Sequence, residues 1–272
     1  MTSSLPVALV TGASSGVGRA TAAALAARGY RVFGTSRNPS GDAAPGVPML
    51  SLDVRDDTSV AACVAAVTAR AGRIDLLVNN AGFEQAGALE ELSLEEARAQ
   101  FETNFFGVVR MVKEVLPIMR GQRSGRIINV SSLTGLAATP FMGIYSASKF
   151  ALEGYSEALR HELRPLGIHV SMVEPSFLKT SMMQNRKVAA RTIADYDRWR
   201  QRAYDAIRGY EEKGPPAEVV ADAIAAVAAS PRPRLRYLVG RQARLLGTLK
   251  RVLPQGMFEG GARNTFGLDR DG

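Results

Sequence analysis

The sequence predicts a doubly wound α/β fold, a single domain with about seven parallel strands and helices on both faces. Three observations lead there. Short apolar, β-branched runs alternate with helical patterns from residue 7 to about residue 174; turn residues stand at the junctions; and no internal repeat interrupts the rhythm. Strands that alternate with helices are parallel neighbours, because a parallel pair needs a crossover connection.

Residues 7–11 read as the first strand, followed by a glycine-rich turn and a helix over 19–28 that Gly29 stops. Residues 31–35 form the second strand, 39–48 a Pro/Gly loop, 49–52 the third strand, 58–71 a helix and 75–79 the fourth strand. Ser93 and Glu96 make a Ser-x-x-Glu capping box that opens a helical pattern running to about residue 120 in two pieces. A fifth strand is expected at 126–131, a long helix at 145–166 and a sixth strand at 168–174. After Pro175 the rhythm breaks. Residues 176–216 carry helical stretches around 192–210 and no evident strand; Pro215-Pro216 then precede a helix over 217–229 and a seventh strand over 236–239.

With 272 residues, 46% hydrophobic and 22% charged, the chain can bury one substantial core. Its longest apolar runs, 21–27 and 223–229, are far short of the roughly 20 residues that span a bilayer. The first residues show no basic segment followed by an apolar one, so a cytoplasmic location is expected. The lone Cys63 lies in an Ala/Val-rich stretch and reads as a core residue. With two histidines, His161 and His169, no metal site is expected. The formal charge of +8 permits anionic partners. No basic-aromatic interleaving marks a nucleic-acid module, so a solvated basic surface is the reading. Peripheral membrane contact by the tail stays open, because the densest basic stretch is 232–251.

The first strand runs into Thr11-Gly12-Ala13-Ser14-Ser15-Gly16-Val17-Gly18. Glycines in such a turn let backbone N–H groups approach a pyrophosphate at a helix N-terminus, where the dipole favours anions. The spacing Gly-x-x-x-Gly-x-Gly departs from the usual dinucleotide fingerprint, and glycines also make ordinary strand-helix turns; its place between first strand and first helix favours a Rossmann-type nucleotide fold. The second strand ends in Thr35-Ser36-Arg37, where an NAD-preferring fold usually carries a carboxylate. A hydroxyl and a guanidinium suit a 2′-phosphate instead, so NADP is the expected cofactor.

Tyr145 and Lys149, four apart at the start of the long helix, share one helical face. An ammonium near a phenol would lower the phenol pKa and fit it for proton transfer. With Thr11–Gly18, Asn79-Asn80-Ala81-Gly82, Asn104 and Asn129-Val130-Ser131-Ser132, this pair resembles the short-chain dehydrogenase/reductase family over residues 5–240. The resemblance implies a Rossmann-type catalytic domain over 1–240, with a substrate lid at 176–216 and a C-terminal tail at 241–272.

The family's roles then fall on this chain position by position. Tyr145 is expected as the general acid/base and Ser132 as the donor to the substrate oxygen. Lys149 would hold the nicotinamide ribose hydroxyls and tune Tyr145, and Asn104 would anchor a water linking Lys149 to solvent. Cofactor contacts are expected from Gly12, Ser14, Ser15, Gly16, Val17, Gly18, Ser36 and Arg37. They are also expected from Asp53 and Val54, from Asn80, Ala81 and Gly82, from Tyr145 and Lys149, and from Pro175, Ser176 and Thr180. Ser176 replaces the glycine the family usually places after the sixth strand.

The substrate pocket would be lined by Ser132, Leu133, Met142, Tyr145, Leu178 and Met182. The function implied is hydride transfer between NADP(H) and a carbonyl or secondary alcohol, on a lipophilic ketone, aldehyde or steroid- or retinoid-like alcohol. A homodimer or homotetramer is expected. The alternative is a dinucleotide-binding regulator without catalysis, disfavoured by the joint presence of Ser132, Tyr145 and Lys149; a dehydratase or epimerase likewise ranks well below a reductase.

Overall fold

The computed structural model describes residues 5–179 and 186–269. Strands β1 (Val7–Val10), β2 (Arg31–Ser36), β3 (Met49–Ser51) and β4 (Leu76–Asn79) are joined by helices α1 (Gly16–Ala27) and α2 (Asp57–Ala71). A short β5 (Gln85–Ala86) leads into α3 (Leu94–Phe101) and α4 (Gly107–Gln122), separated by a π-helical turn at Glu102–Phe106. Then come β6 (Gly125–Val130), α5 (Gly143–Leu163), β7 (Ile168–Pro175), β8 (Lys187–Val188), α6 (Asp197–Glu212), α7 (Ala217–Ala229), β9 (Arg236–Val239), α8 (Arg241–Val252) and α9 (Gln255–Thr265).

Seven strands form one parallel sheet in the order β3-β2-β1-β4-β6-β7-β9. Strand side chains alternate between two cores. Val7, Leu9, Leu77, Ile127 and Val170 face α2, α4 and α5. Ala8, Val10, Leu76, Val78, Ile128 and Val173 face α1 and α7. Both faces are thus covered, as an all-parallel sheet requires. Cys63 is buried in the first core, where burial pushes its thiol up to about 11.

The helix ends follow local chemistry. Asp56 accepts from the N–H groups of Thr58 and Ser59 to start α2, and Gly72, at φ 71°, ends it. The Ser93/Glu96 capping box forms in both directions. The expectation of no strand over residues 176–216 needs correction: β8 pairs in parallel with β5, a two-residue ribbon that ties the segment before α6 to the loop after β4. No helix among the described residues is long and apolar enough to cross a membrane.

A third, smaller cluster joins α6 and α9 to the start of α5. Ala203, Ile207 and Phe266 pack with Ala86, Met142 and Tyr145. The C-terminal segment therefore reaches the wall that holds Tyr145.

Candidate active site

The order of the sheet reverses between β1 and β4, and the crevice outside the carboxyl ends of parallel strands at such a switch point is where ligands bind. Here it is a cleft of about 750 Å³. Its floor comes from the ends of β1, β4, β6 and β7: Gly12, Asn80, Ser132 and Pro175 all line it. A larger cavity, about 1400 Å³, lies outside β9 and α8 among Glu153, Glu174, Arg236 and Lys250, and none of the motif residues borders it. The smaller cleft carries the chemistry.

At one end of the cleft stand Gly12, Ser14, Ser15, Gly16 and Val17. Ser15 precedes α1 in an extended conformation and makes no side-chain cap, so the first N–H groups of the helix are left for an anion. Gly12, at φ +66°, brings the turn so close to β4 that a Cβ there would lie 2.9 Å from Ala81 Cα. Asn80 locks the approach: its Nδ2 donates to the carbonyls of Thr11 (3.0 Å) and Gly12 (3.1 Å), and the Asn80 and Ala81 N–H groups donate to Thr11 Oγ1.

Gly18 is not on the cleft wall; a Cβ there would stand 2.2 Å from Gly12 O and 2.5 Å from Asn80 Nδ2. Its role is to let the turn sit on the helix. Gly18→Ala is expected to destabilise the fold by about 1–3 kcal/mol, as overpacking does. At roughly 2–4 °C per kcal/mol for a protein of this size, that is a fall in Tm of several degrees, with nucleotide binding weakened alongside. Calorimetry and a nucleotide titration check both; an unchanged Tm would mean the turn can move aside freely.

Ser36 ends β2 and Arg37 follows it, and both line the cleft together with Asp53 and Val54. Asp53 is held by a residue the sequence reading passed over: Arg55 donates through Nε and Nη2 to both of its carboxylate oxygens, the shortest contact 2.6 Å. That hydrogen bonding, against an opposing burial contribution, holds Asp53 down to about 2, with Arg37 adding a smaller pull. The wall thus carries two guanidiniums and one carboxylate.

At the other end lie Ser132, Leu133, Met142, Tyr145 and Lys149, with Pro175, Ser176 and Leu178 beside them. Ser132 lies two residues beyond β6 and accepts from the Thr134 N–H at 3.2 Å. Tyr145 is buried at 5% exposure. Burial raises its phenol above the ordinary value and Glu84 adds to the rise, while the hydroxyls of Ser132 and Thr134 oppose it. Lys149 Nζ lies 5.8 Å from the Tyr145 ring centroid and donates to Val130 O at 2.8 Å. The expected lowering of the phenol by Lys149 is therefore corrected: desolvation governs Tyr145, and the same desolvation brings Lys149 down to about 8.

Asn104 sits in the π-helical turn, buried. Its Oδ1 accepts from the Phe83 N–H and its Nδ2 donates to Phe83 O, at 3.1 and 3.0 Å. One of the two hydrogen-bonding positions on each side-chain polar atom is thus taken by Phe83. Ser176 is accommodated because Gly240 faces it: a Cβ on Gly240 would come within 2.3 Å of Ser176 Oγ. Thr180 and Met182 lie outside the described residues. Sequence reasoning also passed over Thr134, Glu84, Arg186 and Glu211, all of which line the cleft.

Most of the chain is similar to known proteins. The family model for short chain dehydrogenases matches residues 6–190. A 3-ketodihydrosphingosine reductase of Bacteroides thetaiotaomicron is 42% identical over 256 residues, covering 93% of this chain and 95% of its own. A short-chain dehydrogenase structure from Streptomyces avermitilis superposes with a TM-score of 0.82 at 35% identity, covering 99% of this chain and 100% of that one. A short-chain dehydrogenase/reductase from Burkholderia phymatum, solved with NAD, gives 0.78 at 30% identity, covering 90% and 92%. The cradle of glycines, the uncapped helix and the wall beyond β2 fit a dinucleotide, and the chain belongs to the short-chain dehydrogenase/reductase family of oxidoreductases.

Proposed function

We propose that this protein is an NADP(H)-dependent carbonyl reductase acting on a lipophilic ketone, with Tyr145 as its proton donor. The observation that carries the reading is the convergence of Ser132, Tyr145 and Lys149 on one cleft whose far end is an uncapped helix N-terminus. When bound, the reduced nicotinamide supplies the hydride. Ser132 Oγ and Tyr145 Oη donate to the carbonyl oxygen and stabilise the charge that develops there. Tyr145 then gives up its proton to that oxygen. A phenol raised by burial stays protonated in the resting site, the form a reductase needs. Lys149 holds the nicotinamide ribose hydroxyls, and Ser36 with Arg37 holds the 2′-phosphate. Leu133, Met142, Phe177 and Leu178 give the substrate end apolar walls, in keeping with the ketone named in the Bacteroides relative. The protein is further read as a homodimer or homotetramer built on α4 and α5; sedimentation checks this.

The test is oxidation of NADPH by the purified protein with long-chain ketones. Ketone-dependent oxidation is expected, and its absence across a chain-length series would overturn the reading. A pH series adds a second check. Because Lys149 is lowered to about 8, its ammonium is present below that pH and is lost as pH rises through it. Nucleotide affinity is expected to fall several-fold across that interval, as a charge-assisted hydrogen bond becomes a neutral one. Lys149→Met should flatten the profile; a profile with the same inflection in the variant would assign the titration elsewhere.

A further inference from the structure

We propose that Glu84 and Glu211, which share the guanidinium of Arg186, form a subsite for a cationic head group, so that the cleft selects ketones carrying an ammonium beside the carbonyl. This rests on the reductase reading above and names its substrate class more closely.

The three side chains come from separate segments: Glu84 from the loop between β4 and β5, Arg186 from just before β8, and Glu211 from the last turn of α6. All three line the cleft that holds Tyr145. Arg186 donates through Nε and Nη2 to Glu84 Oε2 at 2.9 and 2.7 Å, and through Nη2 to Glu211 Oε1. Their side chains are 13%, 12% and 6% exposed for Arg186, Glu84 and Glu211.

The count of acceptors exceeds the count of donors. Both bonds to Glu84 fall on Oε2, leaving Oε1 without a donor among the described residues. Glu211 Oε2 is buried with no partner among the described residues. Two carboxylates thus face one guanidinium inside the cleft. The other cations nearby do not close the gap: Lys149 is held by Val130 O, and Lys187 is exposed and lies over the Phe83 ring at 4.8 Å. A buried carboxylate oxygen with no donor is costly. An ammonium brings three donors and the missing positive charge, whereas a carboxylate or phosphate head would be repelled. Burial raises Glu211 towards its neutral form, and a cation beside it would draw it back to the carboxylate. The subsite is within electrostatic reach of the proton donor, since Glu84 raises and Arg186 lowers the Tyr145 phenol.

The same trio also clasps the segment before β8 to the cleft, so the test must separate recognition from clasping. Initial rates are measured with NADPH and two substrates of equal chain length: a long-chain 2-amino ketone and the ketone lacking only the amino group. The wild-type protein is expected to favour the amino ketone by about tenfold or more in kcat/KM, the scale of one charge-assisted hydrogen bond. Glu84→Gln is expected to erase most of that preference, and Glu84→Asp to recover part of it; loss of the clasp alone would slow both substrates together and leave their ratio unmoved. Equal kcat/KM for the two ketones in the wild type, or a ratio unmoved by Glu84→Gln, overturns the subsite. Turnover of neither ketone overturns the reductase reading instead, and the subsite with it. A measurement without mutation keeps the question decidable: a long-chain primary amine should inhibit reduction of the plain ketone about tenfold more tightly than the alcohol of equal length, and equal inhibition counts against the subsite.

Discussion

Tyr145→Phe lowers ketone reduction by about 10²–10⁴-fold, the usual contribution of a positioned proton donor, while nucleotide binding stays close to that of the parent. The substitution removes one oxygen and little else. The ring packs among Met142, Ala203, Ile207 and Phe266, contacts that phenylalanine keeps, so a fall in activity cannot be assigned to a collapsed wall. The Ser132 and Thr134 hydroxyls, which neighbour the Tyr145 hydroxyl, remain in the variant, and residual rate should come from Ser132 polarising the carbonyl with a proton drawn from water. Single-turnover rates alongside a fluorescence titration of nucleotide separate the two quantities. Near-normal turnover in the variant would mean that the proton reaches the oxygen by another route. The direction of the Tyr145 shift adds a corollary. A phenol raised by burial is ready to donate but must be deprotonated to accept, so alcohol oxidation should require a higher pH than ketone reduction.

The framework around this site was legible because its signals are local. The helix Ala217–Ala229 and the strand Arg236–Val239 lie where apolar pattern and prolines put them, and the Ser93/Glu96 box forms as its spacing requires. The turn from Thr11 to Gly18 could be read from its glycines, since each is needed within a few residues of its neighbours. What the sequence hid depends on partners far along the chain. Glu84 and Arg186 are 102 residues apart, and the ribbon β5–β8 that brings them together has two residues per strand, too short for any periodicity. Asn104 reads as a relay residue by resemblance, yet its amide is engaged by Phe83, 21 residues earlier. A tail drawn from residue 241 gives no hint that Phe266 packs with Met142 and Tyr145. Nor could the spacing of Tyr145 and Lys149 reveal how deeply both are buried, and burial sets the direction of both shifts.

Arg37→Asp is expected to weaken NADPH binding by about 10–100-fold relative to NADH, from a charged hydrogen bond worth roughly 1.5–3 kcal/mol. The wall beyond β2 explains why the effect should be selective. Arg37 and Arg55 both flank Asp53, and Arg55 already occupies both oxygens of that carboxylate. With Asp53 neutralised by Arg55, Arg37 is the cation left to meet a 2′-phosphate. An aspartate in its place would add a second carboxylate beside Asp53 and repel the phosphate dianion. The same aspartate can accept from the free ribose hydroxyls of NADH, so NADH binding should hold or improve. The wild-type preference should also shrink as salt is added, because the wall is open to solvent and its charges are screened within about 8–10 Å at 0.1–0.15 M. Parallel titrations of wild type and variant with both nucleotides, at two salt concentrations, decide the matter. Equal losses for NADPH and NADH would remove Arg37 from the 2′-phosphate and leave Arg55 to be tested as the residue that reads it.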